Sequence, residues 1–176
     1  VKAYAVKEKL EVSTDTKLAS PIVAANSNYG LLIPYTSLNS AKLMAQLLKQ
    51  GVKLRYATAP FQYKGKDYGR GTIIVLKTSN STVNWNAIAN EACQKFHVQA
   101  DAVETGFMDK GMDFGSPDIR VINAAPKVAL VSGEQTSSLG AGEIWHFFDQ
   151  QLDYPLTLVN ANDLARFNLK NYQVLI

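Results

Sequence analysis

The chain has 176 residues, 47% hydrophobic and 19% charged, with a formal charge of +3. That balance suits one folded core, or two small ones sharing an interface, and excludes a disordered segment. Lys and Arg are scattered without the basic run that nucleic acid or an anionic membrane calls for. The single Cys93 excludes an internal disulfide framework.

Residues 1–21 are polar and weakly patterned and read as a lead-in or linker. They open on Val1 rather than Met, so a longer precursor is expected. No apolar stretch approaches the roughly 20 residues of a membrane span. A first domain is expected over 22–122. Its first strand is the apolar run 29–35 (YGLLIPY). Residues 36–40 offer several N-cap side chains, with Asn39 or Ser40 favoured. A helix follows to Gln50 with Ala41, Met44, Ala45, Leu47 and Leu48 as its buried stripe, and Gly51 as the left-handed residue that ends it. Val52, Leu54 and Tyr56 then alternate with Lys53 and Arg55, as in a strand with one wet face.

The stretch 63–71 (YKGKDYGRG) is rich in turn residues, and 72–76 is a β-branched strand. A second amphipathic helix is predicted over 84–97, with Trp85, Ile88, Ala89, Ala92 and Phe96 facing inward. A fourth strand is expected at 100–105. The order β-α-β-β-α-β implies a small mixed sheet with helices on one face. A Gly- and Asp-rich connector follows, 106–117 (GFMDKGMDFGSP).

The second half, 123–176, changes character. Residues 127–131 (KVALV) form a continuous apolar strand of the kind buried in parallel sheets. A Gly- and Ser-rich loop leads into a helix over 140–152. A strand at 156–159, a short helix at 163–167 and a third strand at 172–176 complete a β-α-β-α-β run. The fold class is therefore α/β, ending in the opening of a doubly wound, flavodoxin-like parallel sheet. Such a sheet ordinarily continues, so a truncated one is expected, with an open edge able to pair two copies as a homodimer.

The loop 133–142 follows the first strand of that sheet, where ligands sit against helix N-termini. Gly133 and Gly142 let a ligand approach the backbone, Ser137 and Ser138 offer hydroxyls, and Glu134 and Glu143 flank them. The spacing matches neither a dinucleotide fingerprint nor a phosphate-binding loop. It reads either as a cradle for a small polar ligand or peptide, or as a loop that caps and packs its helix. His146 and Asp149 stand one turn apart and could face a metal together, but a further ligand is needed and the other histidine, His97, is distant. The pair reads as a weak metal candidate or as a surface His beside a carboxylate.

In the connector, Asp109, Asp113 and Ser116 read as a structured linker or an ion site without the twelve-residue calcium pattern. Cys93, mid-helix, reads as a packing residue rather than a nucleophile. Trp85, Tyr56, Phe61, Tyr63 and Tyr68 read as core and hairpin packing or as a peptide-binding surface. No acid, base and nucleophile assemble, so the chain alone is not expected to be catalytic; a weak alternative is a hydrolase using His146.

Three stretches carry a family resemblance. Residues 43–61 with 66–74 (LMAQLLKQGVKLRYATAPF, KDYGRGTII) show a helix, Gly-Val, a strand, Pro-Phe and Gly-x-Gly-Thr. Residues 105–116 (TGFMDKGMDFGS) show Thr-Gly followed by Gly-x-Asp-x-Gly-Ser. Residues 127–146 (KVALVSGEQTSSLGAGEIWH) open the next domain. In order and spacing, from about Tyr29 to the end, this resembles the region downstream of the catalytic domain in bacterial zinc carboxypeptidase-like proteins. It ends in the start of a domain similar in fold to class I glutamine amidotransferases.

The resemblance implies an accessory region that supports or positions a metallopeptidase domain of the same polypeptide, with zinc held in that domain and none in this chain. The family's zinc-binding His-x-x-Glu pair, its base and its substrate-gripping Arg have no match here; His146 and Asp149 share the pair's spacing but replace Glu by Asp. No catalytic role is therefore carried over. The reactive residue of an amidotransferase-like domain lies on a later elbow. A periplasmic or extracellular location is implied by the resemblance alone.

Overall fold

Strand β1 (Gly30–Ile33) has no exposed residue, because both faces of its sheet are covered. The computed structural model describes residues 27–176; the expected lead-in at 1–21 and the start of the first domain at 22 lie outside them. Leu31 and Ile33 turn to one face, Leu32 to the other, as the two-residue period of a strand requires.

Helix α1 (Leu38–Lys49) follows. Its N-cap is Ser37, not Asn39 or Ser40: Ser37 is extended, and its hydroxyl accepts the Ser40 amide at 3.3 Å. Ser40 is already helical and turns inward, donating to the Pro34 carbonyl at 3.0 Å. Leu43, Ala45, Leu47 and Leu48 are buried, with Met44 only partly so. Gly51, at φ +79°, closes the helix: its amide bonds Leu48 O and the Val52 amide bonds Leu47 O, the pairing of a Schellman motif.

The chain continues through β2 (Leu54–Ala57), a hairpin of β3 (Phe61–Tyr63) and β4 (Lys66–Tyr68), and β5 (Ile73–Leu76). Helix α2 (Trp85–Phe96) is capped by the Asn84 side chain and ends at His97, which is left-handed at φ 52°. Strands β6 (Asp101–Val103) and β7 (Ile119–Ile122) complete the unit.

Its five-stranded sheet has the order β6-β1-β5-β2-β7 and is antiparallel at every pairing, where a mixed sheet was expected. The topology gives the reason. The α1 crossover joins β1 to β2 with β5 inserted between them, and the α2 crossover joins β5 to β6 with β1 inserted, so each parallel pair is split by a strand running the other way. This is the ferredoxin-like split β-α-β arrangement. Strand β7 lies just past the connector read at 106–117, in the last residues of the first domain, and was not anticipated.

Helices α1 and α2 cover one face of the sheet over Leu31, Leu54, Ile73 and Val75. The hairpin and the connector cover the other, where Phe61 and Phe114 pack with Leu32, Ile74 and Ile119 of the sheet. Tyr56 shares a side with Leu54 but is left exposed.

The second unit is β8 (Val128–Ser132), α3 (Ser138–His146) widening into a π-turn (Phe147–Gln151), β9 (Leu156–Asn160) and β10 (Val174–Leu175). It is wholly parallel, in the order β10-β8-β9. The first strand is central, the second lies to one side and the third to the other. The return to β9 packs Phe148, Leu152 and Tyr154 on the face bearing Val128 and Leu156. The return to β10 places the Tyr172 hydroxyl 3.2 Å from Thr157 Oγ1, on the opposite face. Connections on alternate faces are what doubly wound means, and the α/β class holds.

The helix expected at 163–167 is instead a pair of 3₁₀ turns, Ala161–Asp163 and Leu169–Asn171. Asn160 and Asn168 cap them with their side chains, local bonds that compete with a longer helix.

The two units meet along α1. Ala45 packs with Val128 and Tyr154, Lys42 Nζ donates to Gln151 Oε1 at 3.0 Å, and Lys49 pairs with Asp153 at 2.7 Å.

Candidate functional site

In a sheet of this order the crevice lies at the carboxyl ends of the central strand and its third-strand neighbour, here β8 and β10. The loop after β8 opens there. Gly133 has φ +130°, which side-chain-bearing residues rarely adopt, and a Cβ on it would stand 3.2 Å from Asn160 Oδ1. Its carbonyl accepts both the Thr136 amide at 3.0 Å and the Thr136 hydroxyl at 2.9 Å, which curls the loop back on itself. Gln135 Nε2 donates to Asn162 Oδ1 at 2.8 Å, lacing this loop to the one after β9.

Ser137 is the N-cap of α3 and accepts the Gly140 amide at 3.2 Å. Glu134 and Ser138 are exposed beside it. Gly133, Glu134, Ser137 and Ser138 thus lie together in the loop after β8, at the carboxyl end of the central strand and laced to the loop after β9. Gly142 and Glu143 stand farther along α3, exposed, and no heavy atom lies within 4 Å of where a Gly142 Cβ would be.

His146 closes α3 and Asp149 lies in the π-turn beyond it, both exposed. The π-turn changes the angular step between them, so the alignment expected of one α-helical turn is not kept. Asp149 accepts from Gln150 Nε2 and lines a groove with Lys49, Trp145 and Asp153 that excludes His146. Among the described residues no three of His, Cys, Asp or Glu converge as a metal site would need.

The connector acids shape turns. Asp109 Oδ2 accepts the Gly65 amide at 2.9 Å, Asp113 Oδ1 the Met108 amide at 2.7 Å, and Ser116 Oγ the Asp118 amide at 3.2 Å. Cys93 is buried in the core under the helices, and burial pushes its thiol up to about 11. The five aromatics divide across the sheet. Trp85 packs among the helices; Phe61 and Tyr68 stack at 5.2 Å on the far side with Tyr63; Tyr56 stands apart.

A cleft of about 860 Å³ was missed from sequence. It lies between the sheet and the connector, with Arg55 in its wall and Phe107 at its rim. The alternation 52–56 put Arg55 on the polar side of its strand, but a connector more than fifty residues later supplies the other wall, and no local pattern reveals that. No protein-family pattern, curated protein or solved structure matches the chain.

Proposed function

We propose that this chain is a non-catalytic accessory region of a secreted zinc carboxypeptidase-like protein, packing on and positioning the peptidase domain of the same polypeptide. The observation that carries the reading is the β10-β8-β9 order of the second unit, the opening of the doubly wound sheet that the resemblance implies. The three resembling stretches fall on coherent parts of the structure: α1 through β5, the connector wall, and β8 through α3. Zinc and the peptide-cleaving groups belong, on this reading, to the peptidase domain.

The second unit also leaves apolar surface uncovered. Leu139 is 74% exposed and Leu158 53%, with Trp145, Val174 and Leu175 also open. Parallel strands are ordinarily covered on both faces, and the peptidase domain is the occupant this reading assigns. Titrated against that domain and followed by sedimentation, the chain is expected to form a one-to-one complex, weakened about tenfold or more by Leu175→Asp. No complex, or zinc-dependent peptide hydrolysis by the chain itself, would overturn the reading.

A second reading, a small-ligand or peptide-binding module using the loop 133–142, is favoured by the loop's position at the carboxyl end of the central strand. It requires a ligand-dependent rise in melting temperature that Gly142→Val removes. An unchanged melting temperature across polar ligands would count against it.

A further inference from the structure

The cleft between the sheet and the connector holds a charge that no carboxylate among the described residues answers. Arg55 points away from the helices, half-buried, and its Nη1 donates to the Phe114 carbonyl at 3.2 Å. Among the described residues its buried Nε has no hydrogen-bond partner, and no carboxylate forms an ion pair with it. A partly desolvated guanidinium lacking a counter-ion is costly, and a planar carboxylate is the group it pairs with best.

The two acids lining the cleft are already engaged. Glu104 pairs with Lys64 at 2.9 Å, and Asp113 holds the Met108 amide.

The rest of the cleft suits an organic body. Its volume of about 860 Å³ falls within the roughly 300–1,000 Å³ of small-molecule sites. Phe107 stands 75% exposed at the rim although it is a large aromatic, and Met112 forms part of the wall. Glycines build that wall. A Cβ on Gly111, at φ +87°, would lie 2.9 Å from the Pro60 carbonyl oxygen, so the connector approaches the hairpin this closely only with glycine there; at Gly115 the space is open.

We propose that this cleft binds an organic carboxylate with an apolar or aromatic body, the anion paired to Arg55 and the body lying against Phe107 and Met112. The site is independent of any peptidase partner.

The test is a titration of the isotope-labelled chain, followed by amide chemical shifts, with N-acetylphenylalanine and separately with its neutral amide. The acid is expected to give saturable shifts centred on Gly106, Gly111 and Gly115, and the amide to bind at least about tenfold more weakly. Arg55→Met should abolish the difference between acid and amide. Because Arg55 also braces the connector, Phe107→Ala serves as a second variant on an exposed side chain, expected to weaken the acid several-fold with the fold intact. Absence of saturable shifts up to ~10 mM, equal affinity for acid and amide, or unaltered binding by Phe107→Ala would each overturn the proposal.

Discussion

Asn80 is 1% exposed and behaves as a piece of backbone. Its Oδ1 accepts the Lys53 amide at 2.8 Å, and its Nδ2 donates to the carbonyls of Lys53 and Leu76 at 2.9 and 3.0 Å. One side chain thus joins the entry of β2 to the exit of β5. Asn80→Ala strands three backbone groups and is expected to cost about 2–4 kcal/mol. Urea denaturation measures it; a wild-type midpoint would show the bonds to be dispensable. In the sequence, Asn80 sits in a run of Ser, Thr and Asn that signals only a turn. Its partner Lys53 lies 27 positions away, so the burial was not legible.

Cys93 was legible as a packing residue, because its neighbours follow the helical period. Burial raises its thiol from near 9 to about 11, so the folded chain holds the proton that the unfolded chain releases first. The resulting stability is complete below about pH 9 and is lost as pH rises toward 11. Burial, and then the hydrogen bond to Asp101, raise Tyr68 in the same direction. Cys93→Ala should flatten the alkaline fall in denaturation free energy between those limits; an unchanged slope would place its origin elsewhere.

The β3–β4 hairpin turns on Lys64 and Gly65, both with positive φ, 49° and 72°. Two such residues make a type I′ turn, in which Asn at the first position and Gly at the second are preferred. Lys64→Asn is expected to raise the melting temperature slightly, since the Lys64–Glu104 pair it removes is solvent-exposed and contributes little. Gly65→Ala should lower stability by about 1 kcal/mol. The reverse order in thermal melts would refute the turn assignment.

Both long helices, the Gly51 stop and the apolar β8 run were legible because each is decided by neighbours within a turn or two. The N-cap of α1 was misplaced because Ser37 and Ser40 offer the same hydroxyl, and only the inward bond from Ser40 to Pro34 O separates them. Strand β7 was hidden because its partner β2 precedes it by some sixty residues. The antiparallel sheet was hidden for a similar reason: a β-α-β spacing does not say whether a third strand is inserted between the pair.

For the molecule as a whole, the joint between the two units is small. It consists of a short apolar patch around Ala45, Val128 and Tyr154 and the pair Lys49–Asp153. Lys49 hydrogen-bonds Asp153 and holds its carboxyl below the ordinary value. This contribution is present above the unfolded carboxylate pKa and fades as pH falls through the folded one. Strands β9 and β10, on the unit with the thinner core, should exchange their amides before β1 and β5 in hydrogen-exchange measurements. Uniform protection would instead make the two units one cooperative body.

The opening of a doubly wound sheet and the loop after its first strand followed from the sequence, since the apolar run and the Gly-Ser loop are contiguous. What covers Leu158 and Leu175 did not, because an uncovered surface carries no signature of its occupant.

The measurement bearing most directly on a non-catalytic accessory role is a calorimetric zinc titration of the chelator-stripped chain. No saturable heat in the micromolar range is expected, with His146 and Asp149 remaining surface groups. One-to-one binding at micromolar affinity or tighter, about −8 kcal/mol or better, would contradict that role and make this chain itself the metal-bearing part.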